Sequence, residues 1–254
     1  MSVLRPNWIT ARPIAHRGLH DATLGIVENT TSAALGAIES GFAIECDVRL
    51  SADGEAVVFH DETLERLTNA SGRLDALPTH EAGAIGYKGS ADHIVPLPAF
   101  CAAIDRRTPL FCEIKSRFDG DMRLAERVAA IAKAYAGPLA LMSFDPRIIA
   151  YLGKNRRRFG IRYTPLGIVA QARYDGTDED WSGLDAAARF DLANFLHYRE
   201  TVPDFVAYNV DDLPNAVSFL CRSGIGMPLL AWTVRTPVQR AKAREWADQI
   251  IFEG

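Results

Sequence analysis

Four short stretches concentrate side chains able to do chemistry: "IAHRG" at 14–18, "ECDV" at 45–48, "VFHD" at 58–61 and "EIK" at 113–115. In each, a run that reads as buried strand ends in titratable or charged groups. Among their side chains are two imidazoles (His16, His60), three carboxylates at strand ends (Glu45, Asp47, Glu113) and two cations (Arg17, Lys115). Imidazoles titrate near neutral pH and suit proton transfer. Clustered carboxylates suit a hard divalent cation, and a guanidinium or ammonium suits phosphate oxygens.

These clusters need elements that bring them to one place. Short apolar runs recur at 13–16, 42–48, 109–114, 139–144, 159–163, 204–210, 228–234 and 248–254, with helical patterns between them. Eight such βα units in about 250 residues have the expected size of a closed barrel. The fold expected is therefore α/β, a (β/α)8 TIM-like barrel spanning residues 1–254 as a single domain. One segment breaks the alternation: "DVRLSADGEAVVFHD" reads as two strands joined by a tight turn at Asp53 and Gly54, too short for a parallel crossover. The second barrel strand then extends past the mouth and returns as a hairpin, which brings His60 back to the mouth. A small insertion, residues 61–96, follows it.

In such a barrel the chemistry sits at the C-terminal ends of the strands, where every one of these clusters falls. Residues two apart on a strand point to the same side, so Glu45 can converge with Asp47, and Glu113 with Lys115. Three carboxylates meeting inside a barrel mouth repel one another unless a cation sits among them. All-oxygen ligation points to Mg²⁺, Ca²⁺ or Mn²⁺ rather than zinc.

Composition narrows the function classes. A formal net charge of -4 and no clustered excess of Lys and Arg argue against a nucleic-acid partner. The one dense basic run, "KNRRRFG" at 154–160, reads as a solvated helix end, where cations are favoured. Cys46, Cys101, Cys112 and Cys221 show no CxxC pairing and read as reduced core residues. No apolar run is long enough for a signal peptide or a membrane span, so the expectation is a cytoplasmic protein without stable membrane insertion. His80 and His93 fall in the polar insertion and read as surface residues.

Taken in order, "AHRG", "ENT", "IECDV", "DGEAVVFHD", "LERLTNASG", "EIK", "SFDP" and "AWTV" resemble the glycerophosphodiester phosphodiesterase family, from residue 14 to about 252. The resemblance implies a metal-dependent hydrolase that splits a small-molecule glycerophosphodiester into glycerol 3-phosphate and an alcohol. It implies His16 and His60 as the acid/base pair and Glu45, Asp47 and Glu113 as ligands of the divalent metal. It also implies Arg17 and Lys115 on the phosphate, Glu28 and Asn29 supporting the site, and Trp232 lining the pocket. The attacking oxygen is either the glycerol 2-hydroxyl, giving a cyclic phosphate, or a water.

The sequence departs from the family pattern in three places. Val27 stands where Pro is usual, Glu253 is the residue available for an acidic role after the last strand, and His20 is an additional imidazole considered for contact with the alcohol. Two rivals stand beside this reading. One is a lysophospholipase D-like phosphodiesterase, which an apolar rim at the mouth would favour. The other is a non-catalytic metabolite-binding barrel, which loss of a histidine or a carboxylate would have signalled.

Overall fold

The computed structural model describes residues 5–175, 181 and 183–254. In chain order the elements are β1 (Ile14–Ala15), α1 (Thr31–Glu39), β2 (Ala43–Leu50), β3 (Ala56–Val58), α2 (Thr79–Ala82), β4 (Val95–Pro96) and α3 (Leu97–Ile104). Next come β5 (Leu110–Ile114), α4 (Arg123–Ala134), β6 (Leu139–Ser143), α5 (Pro146–Lys154), α6 (Arg156–Phe159), β7 (Leu166–Ala170), α7 (Ala186–Ala193) and α8 (Tyr198–Thr201). The chain ends with β8 (Phe205–Asn209), α9 (Ala216–Phe219), β9 (Leu229–Val234), α10 (Pro237–Trp246) and β10 (Gln249–Phe252).

β1, β2, β5, β6, β7, β8, β9 and β10 pair in parallel, and β1 closes the ring by pairing with both β2 and β10. The result is the eight-stranded (β/α)8 barrel expected from the sequence. The hairpin is present too. β3 runs antiparallel to β2 with Val48 opposite Val58 and Leu50 opposite Ala56. Gly54, at φ +83°, supplies the left-handed residue that its turn needs. The segment that follows buries a small cluster of its own, in which Phe59, Leu64, Leu74, Tyr87 and Ile94 pack together.

Strand alternation sorts the side chains into two layers. On β2, Ile44, Cys46 and Val48 join the core between barrel and helices, and on β5, Leu110, Cys112 and Ile114 do the same. Their neighbours Ala43 and Phe111 fill the barrel interior with Ile14, Phe205 and Leu230, closed from below by Ile9 and Trp8. Glu45, Asp47 and Glu113 share the inward parity of Ala43 and Phe111, so the same alternation that buries the core aims the carboxylates into the lumen. All four cysteines are buried and free.

One element lies elsewhere than the sequence suggested. The fifth barrel strand is not 159–163 but β7, Leu166–Ala170. Phe159 ends α6, Gly160 takes the left-handed conformation that terminates it, and Tyr163 is 76% exposed. Within β7, Gly167 faces the ring of Phe205, which would lie 2.3 Å from an added Cβ. The strand tolerates glycine there because the next strand's aromatic ring fills the space. The basic run behaves as expected of a helix end: Arg158 is exposed, while Arg156 turns in to pair with buried Asp204 at 2.5 Å. Among the described residues, no helix is long and apolar enough to cross a membrane.

Candidate active site

Each reactive side chain is held where a strand ends. β1 stops because Arg17 and Gly18 adopt positive φ, 57° and 81°. A Cβ on Gly18 would lie 2.8 Å from Ala33, so only glycine lets α1 approach. The turn at Arg17 points its backbone N–H at Glu45 Oε2, 2.9 Å away, and its carbonyl accepts the Asn29 N–H at 2.8 Å. Non-glycine residues in such conformations recur at functional sites. The returning strand β3 is anchored by the Phe59 N–H donating to the Asp47 carbonyl at 3.1 Å, and the Arg49 Nε donates to the His60 carbonyl at 2.5 Å. His60 is thereby fixed beside the end of β2.

Glu45, Asp47 and Glu113 meet with one oxygen each within 4.8 Å of one another, and all three are buried. Lys115 Nζ lies 2.9 Å from Asp47 Oδ1 and 2.6 Å from Glu113 Oε1. Arg17 Nε lies 3.2 Å from Asp47 Oδ2. Asn29 grips Asp47 from both sides, donating from Nδ2 to Oδ2 at 2.9 Å and accepting the Asp47 backbone N–H at 3.1 Å. Glu45 Oε1 is buried and accepts no hydrogen bond. A carboxylate oxygen stranded in this way, beside two further carboxylates, fits a hard cation with oxygen ligands.

The electrostatics agree. Burial, with the charges of Asp47 and Glu113, pushes the Glu45 carboxyl well above its usual range. Burial also raises Glu113, with Lys115 opposing. Asp47 goes the other way: burial would raise it, but Lys115, His60 and Arg17 hold it well below the usual carboxylate range. Without a bound cation the cluster thus favours ionised Asp47 and opposes the ionisation of Glu45 and Glu113. Bound to a divalent cation, all three would ionise.

The two imidazoles flank this cluster. His16 Nδ1 is 2.5 Å from Glu253 Oε1, and its Nε2 is 3.8 Å from Glu45 Oε2. His60 Nδ1 is 2.7 Å from Asp61 Oδ1. Burial lowers the His16 pKa, with Glu253 opposing. A cleft of about 300 Å³ opens over the cluster, lined by His16, Arg17, Glu45, His60, Glu113 and Lys115 on one side. Phe144, Trp181, Trp232, Asn209, Asp211 and Arg235 line the other side. Trp232 is locked by its Nε1 donating to the Ala207 carbonyl at 3.0 Å and by an edge-on contact with Phe144.

Against known proteins, the model of the glycerophosphoryl diester phosphodiesterase family matches residues 16–252. The chain belongs to that family. A glycerophosphodiester phosphodiesterase of Caldanaerobacter subterraneus subsp. tengcongensis is 48% identical over 144 residues, which cover 54% of this chain and 55% of that relative. Glycerophosphodiester phosphodiesterase 1 of Bos taurus is 43% identical over 76 residues, 29% of this chain and 22% of its own length. The matched parts therefore span about half of the first relative and about a fifth of the second. Among solved structures, an Oleispira antarctica phosphodiesterase in complex with its product sn-glycerol-3-phosphate superposes with a TM-score of 0.73 at 19% identity, over 94% of this chain and 91% of that one. A glycerophosphodiester phosphodiesterase of Thermotoga maritima gives 0.69 at 23% identity, over 94% and 92%. At these identities the likeness is one of fold.

Within this family member, the residues singled out from the sequence come together at one mouth. Seven of them line the cleft, and Asp47 lies just beneath. Glu28 supports Arg17, whose Nη1 donates to it at 2.7 Å. Val27, in place of the usual Pro, packs against the cluster of the insertion. His20 does not line the cleft. His80 and His93 are exposed, as expected. Residues 176–180 and 182, which follow β7 in the chain, lie outside the described residues.

Sequence reasoning missed the outer partners. Arg66 joins Asp61 to Glu28, and Arg235 holds Glu253 at 2.6 Å. Arg66 sits in the quoted "LERLTNASG", but nothing in the spacing announced its partners. Arg235 follows "AWTV" directly, but nothing in the local sequence pointed to Glu253 as its partner.

Proposed function

We propose that the protein hydrolyses glycerophosphodiesters to glycerol 3-phosphate and an alcohol, with a divalent cation as cofactor. The observation that carries this reading is the buried Glu45, Asp47 and Glu113 triad in the same cleft as two cations and two imidazoles. Family membership and the product bound by the Oleispira relative support it. The triad would hold Mg²⁺, Ca²⁺ or Mn²⁺, which when bound neutralises carboxylate charge and polarises a phosphoryl oxygen.

The chain's own groups do the rest. Arg17 and Lys115 reach the cleft and offer cations to the non-bridging phosphate oxygens, where charge develops as the leaving oxygen departs. In the reaction a bond forms between phosphorus and the incoming oxygen, and the bond to the alcohol oxygen breaks. One imidazole takes the proton of the incoming hydroxyl at Nε2, and the other donates its Nε2 proton to the departing alcohol. Trp232 and Phe144 form an apolar wall that helps exclude water from the cleft.

The test is incubation of purified protein with glycerophosphocholine or glycerophosphoethanolamine, with glycerol 3-phosphate measured enzymatically. Activity should vanish on exhaustive chelation and return with Mg²⁺, Ca²⁺ or Mn²⁺. Turnover that survives chelation would refute the metal site. Absence of turnover on any phosphodiester, with the cation bound and the fold intact, would favour the metabolite-binding alternative.

A further inference from the structure

Both imidazoles of the cleft are gripped at Nδ1 in the same manner, although the grips come from unrelated parts of the chain. His60 Nδ1 meets Asp61 Oδ1 at 2.7 Å, and Arg66 Nε holds the other oxygen of Asp61 at 2.6 Å. His16 Nδ1 meets Glu253 Oε1 at 2.5 Å, and Arg235 Nε holds Glu253 Oε2 at 2.6 Å. In each case the order is imidazole, carboxylate, guanidinium. Asp61 is the chain neighbour of His60, so its grip follows from local geometry. Glu253 lies 237 residues from His16. Closure of the barrel brings them together: the His16 N–H donates to the Phe252 carbonyl at 2.9 Å, and the Glu253 N–H donates to the Val234 carbonyl at 3.1 Å.

We propose that Glu253, locked by Arg235, is a positioning residue that fixes the ring plane and tautomer of His16. A carboxylate accepting the Nδ1–H leaves Nε2 facing the cleft, the atom through which His16 exchanges a proton. The inference rests on the proposed reaction, to which it adds two residues outside the carboxylate triad.

Several features fit this role. Glu253 stays ionised: burial would raise its carboxyl, but hydrogen bonds from His16 and Arg235 outweigh burial and hold it at about 2. Its side chain is only 19% exposed, so water is a poor substitute for the imidazole partner. Arg235 is itself positioned, since its backbone N–H donates to Gln239 Oε1 at 2.9 Å, the side chain that also closes the capping box of α10. Rotation of Glu253 away from His16 would break the Arg235 bond as well. The arrangement thus couples the end of β10 and the loop after β9 to one ring.

The experiment is a double-mutant cycle on the full chain with the divalent cation added, read with glycerophosphocholine. Glu253→Gln should lower kcat about 10- to 100-fold with KM changed by less than about twofold, as loss of an orienting partner does elsewhere. Glu253→Asp, which keeps the carboxylate, should recover most of that loss. In a His16→Ala background Glu253→Gln should have no further effect, because Glu253 acts only through that ring. Additive losses in the two backgrounds, or an unchanged kcat in Glu253→Gln, would overturn the proposal.

A second readout is independent of turnover. Ring ¹⁵N and downfield ¹H NMR should show the Nδ1–H tautomer of His16 in the parent protein, with the Nδ1–H resonance shifted upfield in Glu253→Gln. A His16 protonated at Nε2 in the parent, or a resonance that does not move, would refute the brace. An inactive parent with the expected ring signature would instead count against the proposed reaction and leave the brace standing.

Discussion

Glu45→Gln should make the protein more stable without metal and useless with it. Glu45 Oε1 is buried without a hydrogen-bond partner, and the oxygens of Asp47 and Glu113 lie within 4.8 Å. At that separation two carboxylate charges repel by about 3.5 kcal/mol at an effective dielectric near 20. The apo protein relieves that repulsion by favouring the protonated form of Glu45. Protonating an ordinary glutamate at pH 7 costs about 3.7 kcal/mol, which bounds what the neutral amide can recover. The Arg17 backbone bond survives, because the amide oxygen of glutamine can accept it. With relaxation included, a gain of about 1–3 kcal/mol is expected, or roughly 2–10 °C in Tm for a chain of this size.

The pH dependence gives the sign. The folded-state pKa of Glu45 is raised. Its contribution to stability is therefore fully present below the unfolded value, about 4.3, and is lost as pH rises through the folded value. The advantage of glutamine should be nearly absent at about pH 4 and should grow toward pH 7. Thermal melts in chelator at both pH values measure it, and added Mn²⁺ should raise the parent's Tm by mass action while leaving the variant unmoved. Equal Tm values for parent and variant at pH 7 in chelator would sink the argument that the triad is a strained, cation-seeking cluster. So would a variant that still gains stability from the cation.

Other consequences can be measured directly. His16→Ala and His60→Ala should each lower kcat by about two to four orders of magnitude, with cation-induced stabilisation intact; near-normal turnover in either would remove that ring from the mechanism. Gly167→Ala should destabilise the barrel by about 1–3 kcal/mol in denaturant melts, because the added Cβ would lie 2.3 Å from fully buried Phe205, whereas a neutral result would place residue 167 outside a barrel strand. Lysophosphatidylcholine should be a poor substrate, since a cleft of about 300 Å³ sits at the small end of ligand pockets; release of free choline at rates matching the soluble diesters would restore the phospholipase D-like alternative.

What the sequence disclosed, and what it hid, follows from the range of the physics involved. Strand alternation has a period of two and is local, so the inward aim of Glu45, Asp47 and Glu113 was legible in two short strings. The hairpin was legible for the same reason, because a turn of a few residues admits only an antiparallel return. The fifth strand was not, because the feature that makes Gly167 acceptable is the Phe205 ring, 38 residues later in the chain. "FGIRY" looked better on its own terms, yet only Ile161 among its last four residues is buried.

The outer shell of the site obeys the same rule. Asp61 beside His60 could have been guessed from adjacency, whereas the pairing of His16 with Glu253 exists only once β10 closes against β1. A barrel joins its first strand to its last, so residues at the two chain ends become neighbours with no local signal in either segment. For that reason the first place to look for unseen partners of a β1 residue in a closed barrel is the end of the final strand and the loop after the strand beside it, which is where Glu253 and Arg235 lie.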